Sequence, residues 1–301
     1  MKTQRRSSSP TGPTILFVAS IFFGSSAIFI RFAADVTAIS LTFFRLLIAA
    51  VVIVLFAVSG RKLISLGKRD LLLVLLSGSM LSLHFATFIL AVKETTVANA
   101  TFLVNTSPIM LAVLSPIAIR ERTTSREILA VVVATLGILI VANAGNGFSA
   151  FGFGDLSALL AAFFVAVYSL VGRHLRTSGV NTACYTSYVY TTATVVSLVM
   201  VGFSPGQTFK PYDIQNILAI LGLGIIPTAL GHTLYNYALG SVKTVTANLF
   251  PLLEPIIASL FAVVLFAEIP TIVQVAGYSL ILAAVVIVAT SMSSSVRGAV
   301  N

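Results

Sequence analysis

Ten membrane-length apolar segments, a duplicated pattern of prolines and glutamates, and basic residues crowded onto alternate loops mark this 301-residue chain as an all-α integral membrane protein, with ten transmembrane helices arranged as two inverted five-helix repeats. Composition sets the first point. Hydrophobic residues make up 57% of the chain and charged residues 9%, against roughly 45–50% and about 25% in soluble domains. Barrel-type alternation is absent, so the spans are helices that satisfy their own backbone groups. The second point is a repeat. A shift of 147 residues lays Ala91, Ala100, Pro108, Ile109, Glu121 and Thr124 on Ala238, Ala247, Pro255, Ile256, Glu268 and Thr271. Each proline interrupts an apolar run, and each glutamate closes that run 13 residues later. Prolines and acids are scarce here, so their coincidence carries the duplication and points to a site where the halves meet.

In chain order, spans are expected at 14–33, 38–58, 70–91, 97–119, 127–145, 154–172, 182–203, 214–239, 246–266 and 271–291, each near the ~20 residues a helix needs to cross hydrocarbon. Residues 1–13 are basic and Ser-rich and read as a disordered cytoplasmic N-terminus. The first apolar stretch, Ile15–Ile30, is followed by large residues at the −3 position of either plausible cut, which makes it an uncleaved first span. The first repeat covers 14–145, a glycine-rich connector 146–153, the second repeat 154–291, and a cytoplasmic tail 292–301. Gly222, Gly224, Pro227 and Gly231 are expected to let the eighth span bend. The seventh span starts polar, from Asn181 to Tyr188, which suits interhelical hydrogen bonding or a pore wall. The fifth and tenth are nearly featureless Val, Ile, Leu and Ala, expected at the periphery against lipid, the opposite half or a second copy.

Charge sets orientation. The net charge of +9 is not a nucleic-acid signal, because 14 of the 18 basic residues fall on one side of the expected membrane. The positive-inside rule places that side, with both termini, in the cytoplasm. An odd number of spans per half inserts the second half upside down. Charge agrees independently: Arg120 and Arg122 flank Glu121, while no basic residue flanks Glu268. One cysteine, Cys184, leaves neither an internal disulfide nor a Cys-based metal cage.

The arrangement resembles a known family. Phe23-Gly24-Ser25-Ser26 in the first span, Phe44-Arg45-Leu46-Leu47 in the second, and Pro108 and Pro255 followed by Glu121-Arg122 and Glu268 are similar to the EamA-type family of the drug/metabolite transporter (DMT) superfamily. The likeness covers roughly 14–291. It implies a ten-helix inverted-repeat fold in a bacterial or archaeal plasma membrane, and metabolite transport. No tryptophan precedes Gly24 and no arginine follows Glu268, so no relative's substrate carries over.

The candidate site residues are scarce polar groups and prolines inside apolar spans. Pro108 and Pro255 free carbonyls one turn earlier, at residues 104 and 251, for a solute, an ion or a neighbouring helix. Glu254 is an acid well inside a span, costing at least ~2.5 kcal/mol on insertion scales unless wetted or paired. It reads as a proton-coupling carboxyl, a contact to a substrate ammonium, or the partner of Arg45. Arg45 is suited to a substrate carboxylate or to bracing neighbouring helices. His84 with Phe88, and His232 with Tyr235, share helical faces that suit hydrogen bonding and stacking. Ser25, Asn99, Thr106, Tyr188 and Asn248 complete the candidate cavity.

The function expected is a secondary active transporter that exports small polar metabolites, amino-acid-like or drug-like, by alternating access. An intramembrane enzyme and a membrane scaffold are the alternatives. The enzyme is weakened because no nucleophile–base pair, paired aspartates or metal-ligand set has workable spacing. No catalytic residue, metal or cofactor is expected, and no phosphate-binding loop is present. The expected partners are a small-molecule substrate, the lipid bilayer, a coupling proton and a second copy of the chain.

Overall fold

The computed structural model describes residues 11–95, 97–144, 152–203 and 205–297, and among them all regular structure is helical. Ten segments follow one another: α1 Gly12–Phe32, α2 Ala38–Ser59, α3 Lys68–Glu94, α4 in two pieces Val97–Val104 and Ser107–Ala118, α5 Ser125–Asn143, α6 Phe153–Thr177, α7 Thr182–Gly202, α8 Ile214–Ala238, α9 Thr244–Phe266 and α10 Ile272–Arg297. Nine are long and apolar enough to cross a membrane, and α4 reaches that length only across its break. Several expected boundaries differ: α1 begins at Gly12, with Pro13 in its first turn, while α3 runs on to Glu94, α6 to Thr177 and α10 to Arg297, past the expected 91, 172 and 291. The readings of residues 1–10 and of the connector core 145–151 lie outside the described residues.

Local chemistry starts the helices. Thr37, Asn181 and Asp213 cap α2, α7 and α8 by accepting the N–H three residues on. Thr124 and Glu127 form a reciprocal capping box on α5. The repeat reappears in backbone detail. Arg120 and Ala267, 147 positions apart, both take left-handed conformations (φ 57° and 56°), uncommon for residues with a Cβ. The next N–H, of Glu121 or Glu268, then bonds the Ser115 or Ala262 carbonyl at 3.2 or 3.3 Å. One turn has therefore been built twice.

Packing between the halves obeys the same exchange. α3 lies on α6 as α8 lies on α1, α3 meets α7 as α8 meets α2, and α4 meets α6 as α9 meets α1. α2 pairs with α7, and α5 with α10. The last pair settles where the featureless spans go: one face of each packs on the other half. A Cβ on Gly137 would lie 2.7 Å from the Gly277 carbonyl oxygen, and one on Gly277 2.6 Å from that of Gly137. The outer faces, including Leu129, Leu136, Leu282 and Val286, stay exposed, as a lipid-facing surface requires.

Loop contacts sort into two ends. At the basic end, Asn181 Nδ2 donates to the Lys62 carbonyl (2.8 Å) and Lys243 Nζ to that of Arg122 (2.9 Å). At the opposite end, Lys93 Nζ donates to the Ala34 and Val36 carbonyls, Gln215 Nε2 to that of Phe32, and Thr95 Oγ1 to Asp155. Alternating loops thus lie on opposite ends, as ten crossings require.

Candidate functional site

A cavity of about 90 Å³ opens near mid-bundle, where α4, α8 and α9 all depart from α-helical geometry. That is room for several water molecules. Both halves supply its wall.

The irregular helices fix the cationic side. Pro227 lies in a π-helical stretch, Gly224–His232, which is how α8 accommodates its proline. The proline has no N–H for the Leu223 carbonyl, and Thr228 Oγ1 donates to that carbonyl instead (2.7 Å). The same hydroxyl oxygen accepts from Arg45 Nε at 3.0 Å. Arg45 on α2 is only 1% exposed, and its guanidinium lies 3.6 Å from the Phe85 ring centre. A break in one half therefore positions the buried cation of the other.

The imidazoles differ from each other. His84 Nδ1 lies 2.9 Å from the Ala161 carbonyl, which can only accept, so that nitrogen carries the proton. Its ring stacks on Phe88 (6.2 Å, 7° between planes). His232 is buried among Phe23, Phe85 and Tyr168, with ring centres 4.7, 5.1 and 6.1 Å away, and its Nδ1 has no partner among the described residues.

Toward the basic end the cavity has a polar floor. Ser107 Oγ donates to Asn248 Oδ1 (2.7 Å), Asn248 Nδ2 to Tyr235 Oη (3.2 Å), and Tyr235 shares a hydrogen bond with Ser169 (2.8 Å). That layer joins α4 of the first half to α6, α8 and α9 of the second. Leu239, Val242 and Val245 are buried in the same apolar cluster as Tyr235.

On α9, a 3-10 turn, Phe250–Leu253, separates Thr244–Leu249 from Glu254–Phe266. The Pro251 carbonyl accepts the Glu254 N–H, so it is satisfied within the turn. The Leu103 carbonyl at the α4 break likewise accepts from Thr106 N–H (3.2 Å) and Oγ1 (2.6 Å). The Glu254 carboxylate reaches the cavity, half-buried, and makes no hydrogen bond or ion pair among the described residues. Arg45 takes Thr228 rather than Glu254 as its partner. The cavity thus holds a guanidinium and a carboxylate with no direct ion pair between them.

Of the residues expected from sequence, Arg45, His84, Phe88, His232, Tyr235, Asn248 and Glu254 line this cavity. Ser25 and Thr106 do not: each hydroxyl donates back to its own helix, to Phe22 and Leu103, both at 2.6 Å. Pro108 and Pro255 sit outside the wall, which instead includes Val104 and Pro251, one turn earlier in each repeat. Tyr188 lies toward the basic end, near the Ile64 carbonyl (3.4 Å). On the same helix Tyr185 shares a 2.6 Å hydrogen bond with Ser77, so the polar start of α7 binds helices together. Asn99 falls outside the described side chains. Sequence reasoning missed Phe23, Ser26, Phe85, Asn105, Ser107, Val165 and Tyr168. Apart from the two serines and Asn105, these are ordinary members of an apolar stretch, without scarcity to single them out. Ser26 replaces Ser25 because one residue along a helix is about 100° of rotation. Among the described residues no group of three His, Cys, Asp or Glu side chains is placed to hold a metal ion.

Comparison with known proteins agrees with this architecture. The model of the EamA-like transporter family matches twice, at residues 10–143 and 152–290. An uncharacterized transporter of Archaeoglobus fulgidus is 25% identical over 256 residues, covering 82% of this chain and 86% of its own length. The uncharacterized transporter YdfC of Bacillus subtilis is 29% identical over 242 residues, covering 79% and 77%. A solved crystal structure superposes with a TM-score of 0.78 over 94% of this chain and 98% of its own, at 18% identity, a likeness of fold. With duplicated five-helix halves, a polar cavity between them and two family matches in one sequence, the chain belongs to the EamA-like transporter family and is a multi-pass membrane transporter.

Proposed function

We propose that the protein is a secondary active transporter of the plasma membrane that exports a small polar solute, amino-acid-like or drug-like, by alternating access of its two halves. The observation that carries this reading is the cavity itself, lined from both repeats and holding Arg45 and Glu254 without an ion pair between them. A buried guanidinium with no carboxylate in direct contact is expensive in a membrane, and a substrate carboxylate accepting from the guanidinium's fork of donors would offset that cost. Glu254 then either meets the substrate's ammonium or carries the coupling proton. Phe23, Phe85 and Phe88 supply apolar surface for the solute's body. Both termini lie on the basic, cytoplasmic side, by the loop charges.

The test is transport by purified protein in proteoliposomes, after thermal-shift screening of a metabolite panel has supplied a substrate. Glu254→Gln keeps the shape and removes the titration. We expect uptake driven by a proton gradient to lose its pH dependence and its rate to fall by roughly tenfold or more, the scale of one charge-assisted contact. An unchanged rate and pH profile in that variant would remove Glu254 from coupling. Product formation in detergent, where there are no compartments, would favour an enzyme instead.

A further inference from the structure

The repeated turns at the two ends of the molecule are held by unequal contacts. At the basic end, Glu121 Oε1 accepts from Arg173 Nε (2.9 Å), and its Oε2 accepts from the backbone N–H and hydroxyl of Thr244 (2.7 and 2.8 Å). Glu127 Oε2 accepts from Lys243 Nζ (3.2 Å), and its Oε1 from Thr246 Oγ1 (2.8 Å). Both acids belong to the first half and all four partner residues to the second. Arg173 and Glu121 are mostly buried, with side chains 15% and 13% exposed. At the opposite end the repeat equivalents are Glu268 and Gln274. Among the described residues the Glu268 carboxylate pairs only with Arg31 (2.7 Å), both side chains 53% exposed. Gln274 turns back to cap Thr271 in its own half.

We propose that Glu121 and Glu127 form an ionic latch that holds the basic end shut and must release before the cavity can open there. The proposal rests on the alternating-access reading above and adds which end is locked, by which residues. Charge-assisted hydrogen bonds in a partly buried setting are the strong ones, whereas a half-exposed pair contributes little. Identical backbone turns therefore carry a latch at one end and a loose contact at the other. The latch biases the resting population toward the state closed at the basic end.

The test uses the full chain in oriented membrane vesicles and needs no substrate. In a Cys184→Ala background, which removes the single cysteine, Val104→Cys places a reporter thiol in the cavity wall. A small membrane-impermeant methanethiosulfonate is added to one face or the other, and the rate of modification is read. Glu121→Gln should raise the rate from the basic face by roughly tenfold. Arg173→Gln should do the same, and the double variant should scarcely exceed either, because one bond is shared. Glu127→Gln tests the second arm if a Glu121 variant fails to fold. Glu268→Gln should leave the basic-face rate within about twofold. An unchanged basic-face rate in folded Glu121→Gln and Arg173→Gln variants overturns the latch. If the thiol still reacts from the opposite face in those variants, the latch falls alone. If it reacts from neither face in any variant, the cavity reading falls with it.

Discussion

Helix α9 contains two segments that obey opposite packing regimes. Every residue of Thr244–Leu249 is buried, although Thr244, Thr246 and Asn248 are polar. Beyond the 3-10 turn, Glu254–Phe266 is almost wholly apolar and contains no buried residue. In water the order would be reversed. In a bilayer, apolar side chains gain nothing by leaving lipid, while each polar group must find a protein partner. Thr244 meets Glu121, Thr246 meets Glu127, and Asn248 meets Ser107 and Tyr235. Burial along α9 follows hydrogen-bond partners, not hydrophobicity. The repeat mate of the exposed segment, Ser107–Ala118, does bury Ser107, Pro108, Leu111 and Ser115. Equivalent helices therefore sit in different surroundings.

Three substitutions read that contrast through thermal unfolding of the purified protein in detergent. Asn248→Ala should cost most, about 1–3 kcal/mol, because it strips partners from a buried layer; a loss near zero would break the comparison. Gly24→Ala acts on the exposed segment of α9, where the new Cβ would meet Ile257 Cγ2 at 2.4 Å. The blocking atoms are the Cγ2 and Cβ of β-branched Ile257, held close to the backbone, so α9 itself must shift toward lipid, an overpacking cost of about 1–2 kcal/mol. A larger loss than Asn248→Ala would show the outer segment to be the better anchored. Glu268→Gln should change stability least, by roughly 0–1 kcal/mol, since its pair with Arg31 is half exposed.

Much of the candidate site was legible because rarity is informative in so apolar a chain. Arg45, His84, His232, Asn248 and Glu254 stand out as polar groups within spans, and all five reach the cavity. The residues one turn before the repeated prolines, Val104 and Pro251, reach it too. Phe23, Phe85 and Tyr168 were invisible, since an aromatic on the cavity face reads like one facing lipid. The connection from Pro227 through Leu223 and Thr228 to Arg45 was likewise out of reach. The glycines and Pro227 announced a bend in α8, but not that it would take π-helical form and place Thr228 on Arg45.

Span number, duplication and inversion follow from the order of residues alone, because membrane thickness, proline chemistry and loop charge act locally on each segment. Which of two adjacent serines faces the cavity, which group Arg45 bonds, and how Glu121 and Glu268 are partnered arise only once the ten helices meet. A duplicated sequence is nearly indifferent between its two ends. Contacts across the halves break that balance at the repeated turns: Glu121 and Glu127 accept five hydrogen bonds from the other half, whereas Glu268 has one exposed pair and Gln274 stays within its own half.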